Sequence, residues 1–183
     1  RARGLQRLGG GREDALDLLV VDHAVKPVRA QHQEVAHLPV VLGALELAGL
    51  DPADVDWVLT THVHLDHAGG AGALMRELPN ARCVVHPRGA RHLIEPAKLV
   101  AGSIVVYGEE QFRRLYGEIV PIPAGRVHAP ADGERIRLGG RELELIHTPG
   151  HALHHYCIVD REHAAIFPGD TFGLSYRDFD VDG

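Results

Sequence analysis

Three histidines and an aspartate fall within six residues of the stretch T-H-V-H-L-D-H-A-G-G, as His62, His64, Asp66 and His67. Imidazole nitrogens and carboxylate oxygens are the ligands that zinc takes, and iron and manganese accept them too. In a strand, or its extended exit, residues two apart point the same way. His62 and His64 can therefore converge on one ion. Asp66 continues the parity, and if the chain turns into a helix there, Asp66 and His67 face a second ion beside the first. Two later segments offer the same chemistry. In H-T-P-G-H, Pro149 and Gly150 make a sharp turn that presents His151. In F-P-G-D, Pro168 and Gly169 present Asp170. An exposed polar loop would account for one such cluster. It accounts poorly for three strand ends that each deliver a ligand.

The elements that must position these residues follow from hydrophobic pattern. Leu18 to Asp22 reads as a short buried strand and residues 26–37 as a loop. A helix follows, with Pro39 in its first turn, Leu38, Val41, Leu42, Leu45 and Ala48 at helical spacing, and Gly49 as the stop. Val55 to Thr60 is a strand that runs into the histidine cluster. Gly69 to Leu78 is a helix, Arg82 to His86 a strand, and residues 87–118 are helical with breaks at Pro96 and Gly102. The remainder reads as strands over residues 118–123, 135–138, 142–147, 155–160 and 164–168, with Gly139-Gly140 closing a hairpin. Alternating strands and helices give way to antiparallel sheet, an α+β pattern.

The order H-x-H-x-D-H, then T-P-G-H, then G-D resembles the metallo-β-lactamase superfamily, over about Val55 to Asp170. The resemblance implies an αββα sandwich, two mixed β-sheets flanked by helices, with the site at one edge. It implies that His62, His64 and His151 hold a first metal, that Asp66 and His67 hold a second, and that Asp170 bridges them. A carboxylate at the bridging position is similar to the glyoxalase II, lactonase and flavodiiron branches. Cys157 lies at no motif position, so it is not expected to be a ligand. The implied cofactor is Zn2+, one ion or two, with Fe or Mn as alternatives. The implied activity is a hydrolase that uses a metal-activated hydroxide on an ester, thioester or lactone, with Asp66 as the catalytic carboxylate. Two other outcomes stay open: an iron-dependent oxidoreductase or dioxygenase of the same fold, and a truncated domain with an incomplete metal site. His155, four residues after His151, stands where it can support the ligands from behind.

The chain departs from the family pattern in two places. A further histidine is expected well beyond the G-D motif, and none occurs in Thr171 to Gly183. An early V-D-T-G turn is matched only by Val21-Asp22-His23-Ala24. The expectation is a domain over residues 18–183, partial at its C-terminal end and in question at its N-terminal end. Residues 1–17 are read as a poorly structured tail.

Composition narrows the partners. With 19 Lys+Arg against 25 Asp+Glu the net charge is −6, which disfavours a phosphate backbone as partner. Aromatic content of 5% leaves little for base stacking. No apolar run is long enough to span a membrane and the N-terminus lacks the apolar core of a secretory signal, so cytoplasm is the default. A small-molecule substrate is the expected partner, and the sequence does not indicate the oligomeric state. The two cysteines, Cys83 and Cys157, are read as buried strand thiols. His154, His147, His128, His92 and His86 are read as surface or packing histidines. Ser175 and Tyr176 are read as ordinary loop residues.

Overall fold

The structure, a computed structural model, describes residues 18–21 and 37–171. The expectations for residues 1–17, the Val21-Asp22-His23-Ala24 turn, most of the 26–37 loop, and Ser175 and Tyr176 therefore lie outside the described residues.

The first half builds a parallel sheet. Strand β1 (Leu18–Val21) leads to helix α1 (His37–Ala48), then β2 (Trp57–Thr60). Pro39 sits in the first turn of α1. Gly49, at φ +71, ends the helix, and Leu50 N–H returns to the Leu45 carbonyl at 3.0 Å. After β2 come α2 (Leu65–Ala68), α3 (Ala71–Glu77) and β3 (Arg82–Val84). The helix expected over Gly69 to Leu78 forms as α3, and a separate single turn, α2, precedes it inside the histidine cluster. Then α4 (Pro87–Ile94), α5 (Ala97–Tyr107) and α6 (Glu109–Tyr116) follow, and β4 (Val127–His128) completes the order β1-β2-β3-β4.

Two readings of this region are corrected. Gly102 is helical, inside α5, and the interruption falls at Gly108, whose φ of +77 suits glycine. The strand expected over Glu118 to Pro123 does not form. Ile119, Val120 and Ile122 are buried, but Ile122 N–H donates to the Leu93 carbonyl of α4 rather than to a ladder. Apolar content there signals burial, and burial does not require a strand partner.

The second sheet is an antiparallel meander: β5 (Glu134–Leu138), β6 (Arg141–His147), β7 (Tyr156–Asp160) and β8 (Ala165–Phe167). Gly139 (φ 51) and Gly140 (φ 83) close the β5–β6 hairpin as the sequence implies. Ile136, Leu138, Leu143 and Leu145 face inward. Arg135, Arg137, Glu142 and Glu144 alternate with them, their charged heads paired at the outer face.

The period of two in β2 explains how the layers stack. Val58 joins Cys83 and Val85 in a core shared with Leu45, Leu74, Met75, Leu78 and Leu93 from the helices. Leu59 faces the other way and joins Val84 in a core with Ile136, Leu138, Leu143, Leu145, Tyr156 and Ile158 of the second sheet. The described residues therefore stack helices, a parallel sheet and an antiparallel sheet, the first three layers of the expected αββα arrangement. Both cysteines are buried and free, in β3 and β7.

Polar ties fix the sheets to each other near the histidine-rich end. Tyr156, fully buried, donates its hydroxyl to the Val84 carbonyl at 2.9 Å, and Thr60 Oγ1 donates to the same carbonyl at 3.1 Å. Tyr156 N–H donates to the Thr61 carbonyl at 3.0 Å. These bonds hold the exit of β2 against the start of β7.

Candidate metal centre

Three strand exits, those of β2, β6 and β8, meet at this edge. Thr61 and His62 leave β2, His64 precedes α2, and Asp66 and His67 lie on its one turn. The loop between β6 and β7 carries His151, His154 and His155. The turn after β8, Gly169–Thr171, carries Asp170.

The donor atoms of His62, His64 and His151 all lie within 4.8 Å of one another, as do those of His62, His67 and Asp170. His64 Nδ1 stands 2.9 Å from His151 Nε2. Asp170 spans the two groups, with one carboxylate oxygen 3.4 Å from His67 Nε2 and the other 3.3 Å from His151 Nε2. Tetrahedral zinc ligands at about 2.0–2.1 Å stand about 3.3 Å apart, so the grouping is close to what one ion requires. Asp66 belongs to neither group. Its side chain is 59% exposed at the rim, with Oδ2 3.7 Å from His67 Nε2.

His62 is the pivot. Its ring is fully buried and sits 4.1 to 5.1 Å from those of His67, His64, His151 and His155. Burial, and then the neighbouring imidazoles with His67 first, hold it neutral, its pKa lowered from 6.5 to about 2. His64 is shifted the same way by burial and then by His151. Neutral imidazole is the form that binds a metal. His62 Nδ1 lies 3.2 Å from Thr61 Oγ1. With the ring proton donated there, the Nε2 lone pair is left to face the cluster. That Nε2 is buried and has no hydrogen-bond partner among the described residues. A buried polar atom left unpaired costs about 1–3 kcal/mol, which a metal bond would offset. The residues present therefore fit a divalent ion.

The surroundings hold features that motif reading misses. His154, read as a packing or surface residue, lies beside the cluster. Its ring is stacked 6.3 Å from His62, and its Nδ1 accepts from Val63 N–H at 3.4 Å. Burial first, and then His64, lowers its pKa to about 4. His155, fully buried, bonds Thr148, Thr171 and the Asp170 backbone. His86 caps α4 by accepting from Arg88 N–H at 3.1 Å, and His128 pairs with Glu134, so both are structural. Thr61, Thr148, Thr171 and Gly169 all bear on the clustered histidines and Asp170. Only the T-P-G-H and P-G-D motifs that contain Thr148 and Gly169 hint at this in the sequence.

A family model described as the metallo-beta-lactamase superfamily matches residues 14–182. The hydroxyacylglutathione hydrolase of Aeromonas hydrophila is 33% identical over 126 residues, covering 68% of this chain and 36% of its own length. The acyl-coenzyme A thioesterase MBLAC2 of Gallus gallus is 30% identical over 119 residues, covering 62% of this chain and 40% of its own. Among solved structures, an archaeal metallo-beta-lactamase superfamily protein from Sulfolobus tokodaii superposes with a TM-score of 0.56 at 28% identity. That match covers 67% of this chain and 48% of the other. The chain thus spans between a third and a half of the length of these three relatives.

Proposed function

Since the chain belongs to the metallo-beta-lactamase superfamily, we propose that it is a metal-dependent hydrolase of small-molecule acyl substrates, thioesters foremost. The observation that carries the reading is the convergence of His62, His64 and His151 with His67 and Asp170 around an unpaired, buried His62 Nε2. The thioester preference rests on the relatives, which include a hydroxyacylglutathione hydrolase and an acyl-coenzyme A thioesterase.

His62, His64 and His151 would hold one divalent ion, and His67 and Asp170, with Asp66 at the rim, a second. Zinc suits this nitrogen and carboxylate set best. When bound, such ions supply Lewis acidity toward a carbonyl and lower the pKa of water. The protein's own groups do the rest. Neutral His62 and His64 present lone pairs without a competing proton. Asp170, 19% exposed, is held between His67 and His151. Asp66 is the exposed carboxylate, and we assign it the proton. It takes the proton from the attacking water and delivers it to the departing sulfur or oxygen. The bond that forms joins water oxygen to the acyl carbon, and the bond that breaks is C–S or C–O.

The test is hydrolysis of thioester, ester and lactone substrates by the purified chain, after zinc loading and after chelation. Chelator-sensitive turnover restored by zinc supports the reading. Turnover that is indifferent to chelator, or bound zinc without cleavage of any of the three bonds, contradicts it.

A further inference from the structure

Asp170 reaches the centre from a short turn, and a buried imidazole holds that turn in place. The backbone N–H of Asp170 donates to His155 Nε2 at 3.3 Å. A ring nitrogen that accepts carries no proton, so in the neutral ring the proton sits on Nδ1. Nδ1 lies 2.8 Å from Thr148 Oγ1 and 3.3 Å from Thr171 Oγ1. Thr148 belongs to the turn that presents His151, and its N–H donates to the His155 carbonyl at 3.0 Å. Packing repeats the linkage. A Cβ added at Gly169 would stand 2.5 Å from His155 Nε2 and 2.8 Å from Thr61 Oγ1. One side chain therefore joins the His151 turn and the Asp170 turn, and its ring lies 5.1 Å from that of His62 at the β2 exit.

We propose that His155 is a positioning residue for the metal centre. By accepting the Asp170 amide proton at Nε2, it fixes where the Asp170 carboxylate stands between His67 and His151. It thereby sets how tightly the Asp170–His67 end holds its ion. The inference rests on the metal-centre reading above. Groups that orient ligands from behind typically change metal affinity by roughly 10–100-fold.

Two conservative substitutions separate positioning from packing. In His155→Gln the side-chain carbonyl reaches the place of Nε2 and can still accept from Asp170. In His155→Asn the amide reaches only the place of Nδ1, keeping the Thr148 contact and losing Asp170. Zinc titration by equilibrium dialysis reads both sites, and thermal melts of the metal-free proteins read folding. The expected result is a first ion bound alike by all three proteins. The second ion should be held by wild type and His155→Gln and weakened roughly 10–100-fold in His155→Asn. Equal second-ion binding in both variants, or losses that simply follow the melting temperatures, overturns the proposal. If wild type takes up no zinc, the metal-centre reading fails separately, and amide exchange of Asp170 in the metal-free proteins then decides. Protection in wild type and His155→Gln but not in His155→Asn upholds the positioning bond, and equal protection in all three refutes it.

Discussion

Gly169 tests how rigidly the centre is built, because its replacement by alanine has two separable costs. The residue adopts φ +52, a left-handed conformation that costs an L side chain about 1–2 kcal/mol. The new methyl would also stand 2.5 Å from His155 Nε2, 2.8 Å from Thr61 Oγ1 and 2.9 Å from Thr61 Cβ. Ordinary contact is nearer 3.5–4.0 Å, so a buried ring or a strand exit must move by about 1 Å. Overpacking of this kind costs about 1–3 kcal/mol. Together these give roughly 2–5 kcal/mol, a melting-temperature fall of about 4–20 °C for a chain of this size. Gly150 is the matched control. It also follows a proline in a turn that carries a residue of the cluster, His151, but a Cβ there meets nothing within 4 Å. Gly150→Ala should stay within about 0.5 kcal/mol of wild type. Thermal melts of the metal-free proteins, followed by zinc titration, are the assay. Gly169→Ala should melt well below Gly150→Ala and bind zinc more weakly. Equal melting of the two variants would refute the claim that Thr61, Gly169 and His155 form a close-packed joint.

Other consequences follow from the same geometry. His64→Ala should abolish chelator-sensitive turnover and weaken zinc binding in dialysis; a surviving metal-dependent rate would remove His64 from the site. Asp66→Asn should lower kcat by roughly 10²–10⁴-fold with an unchanged melt, the loss expected when a proton-transfer group is removed. In the metal-free protein, His62 stays neutral down to about pH 2 when folded but protonates below 6.5 when unfolded. The unfolded chain therefore binds the extra proton, and stability is constant above about pH 7 and falls as pH drops below it. This group alone accounts for about 2 kcal/mol between pH 7 and pH 5, measurable by urea titration. Arg126 donates to the carbonyls of Met75, Leu78 and Ala81 around the end of α3. Arg126→Met should cost roughly 2 kcal/mol by removing the donor to the Met75 and Ala81 carbonyls, the Leu78 carbonyl keeping the Ala81 N–H, read as a lower urea midpoint at pH 7.

The sequence made the histidine and carboxylate cluster legible because strand exits impose parity. His62 and His64 point together for the same reason that Val58 and Leu59 point apart. The Pro-Gly turns likewise announce His151 and Asp170. The hairpin at Gly139-Gly140 and the alternation of Ile136, Leu138, Leu143 and Leu145 are local signals, and they sufficed to place the antiparallel sheet. What was not legible depends on partners distant in sequence. Residues 118–123 look like a strand because Ile119, Val120 and Ile122 are apolar, yet α4 rather than a ladder takes up the Ile122 amide. The break at Gly108 instead of Gly102 turns on a backbone angle that neither glycine reveals by type. His154 and the threonines around His155 lie beside the histidine cluster only because two sheets meet there, which no single window of residues encodes.

The central claim is that His62, His64 and His151, together with His67 and Asp170, form one metal centre. Its most direct test is a crystal of the zinc-loaded protein measured on both sides of the zinc absorption edge. The expected result is an anomalous peak in bonding contact with His62 Nε2 and with nitrogens of His64 and His151. A zinc-soaked crystal with no peak at that edge of the sandwich, or with zinc only at surface histidines elsewhere, would contradict it.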